Sequence, residues 1–111
     1  LNPAGNILYV SSFGANAITA FNVGGTGSIS AAGSFESRGG NAPAGDTKDM
    51  YVTSDNKYLY NTGAFQSFSI NSFDISGSSL AYKGQTTYSR TSASVGSAGT
   101  YNFLGLIGYD L

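Results

Sequence analysis

The chain has 111 residues, the length of one domain, with a net charge of −1 and only five basic residues, all scattered. Such a charge distribution offers no field to hold nucleic acid or an acidic lipid surface. Cys and His are both absent, which excludes thiol catalysis, zinc sites of the usual kind, and any Ser-His or Cys-His pair within these residues.

The sequence opens with Leu1-Asn2-Pro3, with no Met and no signal peptide, and reads as an internal or processed segment. No apolar run approaches the roughly 20 residues of a membrane span. The Ser, Thr and Gly content and the scarcity of Lys set the expectation of an extracellular protein.

In chain order, the turn Pro3-Ala4-Gly5-Asn6 precedes a strand over residues 6–10, followed by strands over 17–23 and 28–35. A Gly- and Pro-containing stretch leads to a strand over 48–53. The turn Ser54-Asp55-Asn56-Lys57 then introduces strands over 57–61, 69–75 and 79–86. A long connection over 88–103 and a last strand over 104–110 complete the reading.

Laid on itself, the chain matches at an offset of 51 to 52 residues. Asn6-Ile7-Leu8-Tyr9-Val10 aligns with Lys57-Tyr58-Leu59-Tyr60-Asn61, and Ile18-Thr19-Ala20-Phe21-Asn22-Val23 with Ile70-Asn71-Ser72-Phe73-Asp74-Ile75. Gly27-Ser28-Ile29 aligns with Ser78-Ser79-Leu80, and Ser37-Arg38 with Ser89-Arg90. A unit of about 50 residues carrying about four short strands is the period of a β-propeller blade. Phe21 and Val23 fall on one face of their strand, Ile18 and Ala20 on the other. Apolar residues on both faces call for neighbours on both sides, which adjacent blades supply. A two-sheet sandwich has similar strand lengths and turn spacing and stands as the alternative.

The expected fold is therefore all-β: two consecutive four-stranded antiparallel blades plus a final strand, part of a larger propeller. Residues 1–47 form a blade lacking its inner strand, with the following loop. Residues 48–103 form the second blade and a long loop, and 104–111 a closing strand. Two isolated blades expose sheet faces and unpaired strand edges, so the remaining blades or another copy are the expected partners.

The hairpin Asn2-Pro3-Ala4-Gly5-Asn6-Ile7-Leu8-Tyr9-Val10 resembles the pro-x-gly-x-x-leu-tyr-val hairpin of lactonase-type propellers. Met50-Tyr51-Val52-Thr53-Ser54-Asp55-Asn56-Lys57-Tyr58-Leu59-Tyr60, with the ile-x-x-phe-x-ile strand after it, resembles the same hairpin. The group comprises the 6-phosphogluconolactonases and the fungal 3-carboxy-cis,cis-muconate cyclases. Asn102-Phe103-Leu104-Gly105-Leu106-Ile107-Gly108-Tyr109 is similar to the end of fungal cyclase-like chains. The resemblance implies a C-terminal fragment of a seven-bladed ring acting on, or binding, a small carboxylated lactone. Its motifs mark blade hairpins and speak more to fold than to activity.

Arg38 and Arg90 occupy equivalent places in successive units, where two guanidinium forks could clamp a substrate carboxylate. The plainer reading is that each caps a loop or sits in solvent. Lys48 as electrophile and Asp49 as base are further candidates, against a structural strand-end pair holding the preceding loop. Glu36 is a candidate same-face partner of Arg38. The acid–base chemistry that the resemblance implies uses His, Arg and Glu, and this chain contains no His, so no complete site carries over. No cofactor and no metal are expected. Two other functions remain open: a non-catalytic extracellular binding or surface propeller, and a β-rich segment that assembles with itself through its strand edges.

Overall fold

The computed structural model describes residues 1–12, 15, 17–36, 47–63 and 69–87, with the side chains of 47, 48, 63, 69 and 87 left aside. Seven strands and no helices occur among them: β1 (Ile7–Ser12), β2 (Ala17–Val23), β3 (Ile29–Glu36), β4 (Thr47–Val52), β5 (Tyr58–Gly63), β6 (Ser69–Ser76) and β7 (Ser79–Thr87). They form two antiparallel sheets, ordered β1-β2-β3 and β4-β5-β6-β7. The first sheet has three strands and the second four. The expected last strand over 104–110 lies outside the described residues.

The repeat holds in backbone detail. Leu8 opposes Phe21 in the first sheet and Leu59 opposes Phe73 in the second. Each unit also carries a β-bulge at the same place, between Ala20 and Phe21 and between Ser72 and Phe73. Gly33 stands opposite Ala20, as Gly84 does opposite Ser72. A bulge bends and twists the strand it interrupts, so its recurrence gives both sheets the same local curvature.

The tight turns repeat as well. Gly5 and Asn56, one period apart, both have positive φ (76° and 59°). Glycine reaches that region without cost, and asparagine more readily than most residues. The amide of Gly5 donates to the carbonyl of Asn2 at 3.0 Å, and that of Asn56 to the carbonyl of Thr53 at 2.8 Å. Side chains close the two turns differently. In the first, Asn2 Oδ1 accepts from the amides of Asn6 and Ile7, both at 2.9 Å. In the second, Thr53 Oγ1 accepts from the Tyr58 amide, and Asp55 from the Lys57 amide. Hydrogen bonds from the Thr53 hydroxyl and then the Lys57 amide hold the Asp55 carboxyl below its ordinary pKa.

Each sheet has two faces, and one of each is used. Ile7, Tyr9, Ile18 and Ala20 form the tyrosine face of the first sheet and are buried. Leu59, Asn61, Asn71 and Phe73 form the leucine face of the second sheet and are buried too. The two faces meet in one apolar core, joined by Leu80 and flanked by Ala32, Phe35, Met50, Val52 and Ile75. Phe73 also meets the Tyr82 ring edge-on, with centroids 5.6 Å apart. Removing a side chain the size of Leu59 or Phe73 from water stabilises the fold by roughly 1.5–3 kcal/mol. Sheet thus packs on sheet, with β1 nearest β4 and β3 approaching β7.

The unused faces are the complementary ones. Leu8, Thr19 and Phe21 on the first sheet are half-buried and Val10 is exposed. Tyr58, Tyr60, Ile70 and Ser72 on the second are half-buried, while Thr62 on the same face is buried. A direction of stacking follows: the tyrosine face of one unit meets the leucine face of the next.

Candidate functional site

Strand register places Ser12, Ala17 and Glu36 together at one end of the first sheet, and Thr47 beside Gly63 in the second. Nearby, the adjacent edges of β1 and β4 enclose a cleft of about 380 Å³, lined by Leu1, Tyr9, Ser11, Asp49, Met50, Tyr51 and Val52.

Two polar groups give the cleft its chemistry. Tyr9 is only 5% exposed, and its hydroxyl finds no hydrogen-bond partner among the described residues. Burial raises the pKa of this phenol above its ordinary value, so it stays protonated at neutral pH and can donate to an acceptor. Asp49 stands at a bulge in β4, opposite Thr62. Its Oδ1 accepts from the Met50 amide at 2.8 Å, which pins the carboxylate to its own strand.

Of the residues singled out from sequence, Asp49 lines the cleft, and Glu36 ends β3 as an exposed side chain opposite Ala17. Arg38, Arg90 and the side chain of Lys48 lie outside the described residues, so the proposed guanidinium clamp does too. Tyr9 is a core residue of β1, and it also carries a buried hydroxyl with no hydrogen-bond partner among the described residues. The buried asparagines Asn61 and Asn71 went unnoticed. They oppose one another across β5 and β6, and two asparagines in register inside otherwise apolar strands were the available signal.

No protein-family description matches the chain, and no curated protein does either. Solved structures do match. A protein of Bacteroides uniformis provisionally assigned as a 6-phosphogluconolactonase superposes with a TM-score of 0.69 at 20% identity, over 79% of this chain and 25% of that one. A protein of Lactobacillus plantarum gives 0.70 at 14% identity, over 78% and 26%. A functionally unknown protein of Desulfotomaculum acetoxidans gives 0.65 at 13% identity, over 79% and 26%. The chain therefore has the fold of about a quarter of these longer proteins, a lactonase-like propeller fragment. Identities this low show fold alone.

Proposed function

We propose that this chain is a segment of a lactonase-like propeller protein that binds or acts on a small carboxylated lactone. The reading is supported by a fold shared with a protein provisionally assigned as a 6-phosphogluconolactonase, together with the hairpin resemblance. Muconate-cyclase chemistry rests on the sequence resemblance only. In this proposal Arg38 and Arg90 hold the substrate carboxylate. The test is turnover of 6-phosphogluconolactone and of a carboxymuconolactone by the full-length protein. Arg38→Ala or Arg90→Ala is expected to lower kcat/KM by about 10- to 100-fold, the loss of a hydrogen bond to a charged group. Wild-type rates in both variants would remove the arginines from the site.

A second reading, a non-catalytic extracellular binding propeller, is favoured by one observation. The Asp49 carboxylate is engaged by the amide of its own neighbour, a poor arrangement for a general base. Saturable binding of the lactone without turnover would select this reading. Neither binding nor turnover would end both.

A further inference from the structure

We infer that the turn joining β4 to β5 is an acid-sensitive latch. The ionised Asp55 carboxylate decides where the Thr53 hydroxyl sends its one hydrogen, and protonation of Asp55 loosens the turn. The equivalent turn one period earlier is closed by neutral groups and stays shut. This inference is independent of the lactone reading.

The two turns share one backbone frame. The Thr53 amide donates to the Tyr58 carbonyl as the Asn2 amide donates to that of Ile7, both at 2.9 Å. The amides of Ile75 and Val23 donate to the carbonyls of Lys57 and Asn6, again at 2.9 Å. Their side chains differ. Ala4 stands where the second turn has Asp55, and the first turn is closed by Asn2 Oδ1 on the amides of Asn6 and Ile7. Asn2 Nδ2 also donates to Asn6 Oδ1 at 2.7 Å. All of these are amide groups, which carry no charge that acid could remove.

In the second turn the Thr53 hydroxyl is the central group. It accepts from the Tyr58 amide at 3.1 Å. Its own hydrogen has two acceptors in reach, Asp55 Oδ1 at 2.7 Å and the Tyr58 carbonyl at 3.3 Å. A hydroxyl has one hydrogen, so the two are alternatives. The ionised carboxylate is the stronger acceptor and takes it at the shorter distance. The same Oδ1 accepts from the Lys57 amide at 3.0 Å, so Asp55 ties the residue before the turn to the residue after it. Once protonated, Asp55 accepts more weakly from both donors. The Thr53 hydrogen is then left with the Tyr58 carbonyl, which the Thr53 amide already occupies. The strand pairs nearest the turn, Val52 with Leu59 and Tyr51 with Tyr60, are the ones to open first.

Asp55 is exposed, so solvent protons reach it freely. The Thr53 hydroxyl and then the Lys57 amide depress its pKa, and the positive charge of Lys57 adds to them. On the neighbouring strands the charged groups are Asp74, opposite Tyr58, and Lys83, which pair with each other at 3.3 Å. Lys83 Nζ also lies 5.0 Å from the centroid of the Tyr58 ring. Asp49 stands at the far end of β4, opposite Thr62. The sign follows from the depressed value. The latch is complete above the ordinary carboxyl pKa of about 4, and it is lost as pH falls through the lower folded value.

Amide exchange in the full-length protein tests it, read by mass spectrometry with labelling times scaled to the pH dependence of intrinsic exchange. Wild type is compared with Asp55→Asn from about pH 6 to about pH 3, a range that spans carboxyl titration. Asparagine keeps the oxygen acceptor and lacks the charge. At pH 6 the segment over residues 51–60 should exchange about two- to fivefold faster in the variant, the scale of exposed charge-assisted contacts. That difference should shrink steadily toward pH 3, because protonation makes the wild-type side chain neutral too. The segment over residues 2–9 should exchange alike in both proteins throughout. In a Thr53→Val background, Asp55→Asn should have a smaller effect, since part of the latch runs through that hydroxyl. Equal exchange at pH 6 overturns the inference, as does a difference that keeps its full size at pH 3. An effect of Asp55→Asn undiminished by Thr53→Val overturns it too, as does an equal change in both segments.

Discussion

Tyr9 shows how one side chain can serve packing and chemistry at once. Its ring fills the core between the sheets, while its hydroxyl is buried with no hydrogen-bond partner among the described residues. A buried hydroxyl left unpaired costs folding free energy, so Tyr9→Phe should raise stability by about 1 kcal/mol in denaturant titration. The same substitution should weaken any ligand held through that oxygen. The pH dependence has a definite sign. Tyrosine in the unfolded chain loses its proton near pH 10, whereas burial raises the folded value above that. Folded protein then holds the proton that unfolded protein has released, so stability falls as pH rises from about 10 through the raised folded value. Tyr9→Phe should flatten that alkaline slope, and an unchanged slope would mean that the phenol is solvated in the native state.

At the scale of strands, the paired bulges separate what the repeat copied from what it left free. Gly33 and Gly84 hold equivalent places, yet their constraints differ. Gly33 has φ of 156°, and a Cβ there would lie 3.0 Å from Cζ of Phe35. Gly84 has nothing within 4 Å of the same virtual atom. Gly33→Ala should therefore destabilise by about 1–3 kcal/mol, while Gly84→Ala stays within about 0.5 kcal/mol of wild type. Thermal melts of the two variants side by side decide it, and equal losses would mean that the bulge itself, rather than the Phe35 contact, requires glycine. The one-residue slip in the repeat also finds its place here. Four residues separate Ser12 from Ala17, whereas five separate Gly63 from Ser69. The difference reverses in the next turn, where Val23 pairs with Ile29 but Ile75 with Leu80. Loops absorbed the change and the strand registers kept their pairing, as expected where a register error would turn every side chain to the wrong face.

Across the whole molecule, stability is concentrated on one face of each sheet. Phe73 is 1% exposed and Leu59 fully buried, whereas Phe21 and Leu8 in the same register positions are half-buried. Phe73→Ala should cost about 3–5 kcal/mol, enough to threaten a domain whose total stability is about 5–15 kcal/mol. Phe21→Ala, measured in dilute solution, should cost about half as much or less, because water already reaches that ring. Equal losses would show that the first sheet's leucine face is covered after all.

Strand positions, turn residues and the recurrence of both units were legible from residue order, because β-propensity, turn chemistry and side-chain alternation are local and the repeat stated them twice. Arg38 and Arg90 drew notice through the same duplication, yet a shared position in two units says nothing about a shared pocket. Tertiary structure alone decided which face of each sheet is covered, and so why Leu59 is core while Leu8 is not. Burial depends on what stands across the gap, and identical residues in identical strands differ when only one of them has a neighbour there. For the same reason the Tyr9 hydroxyl became visible as a buried donor only once β4 lay beside β1.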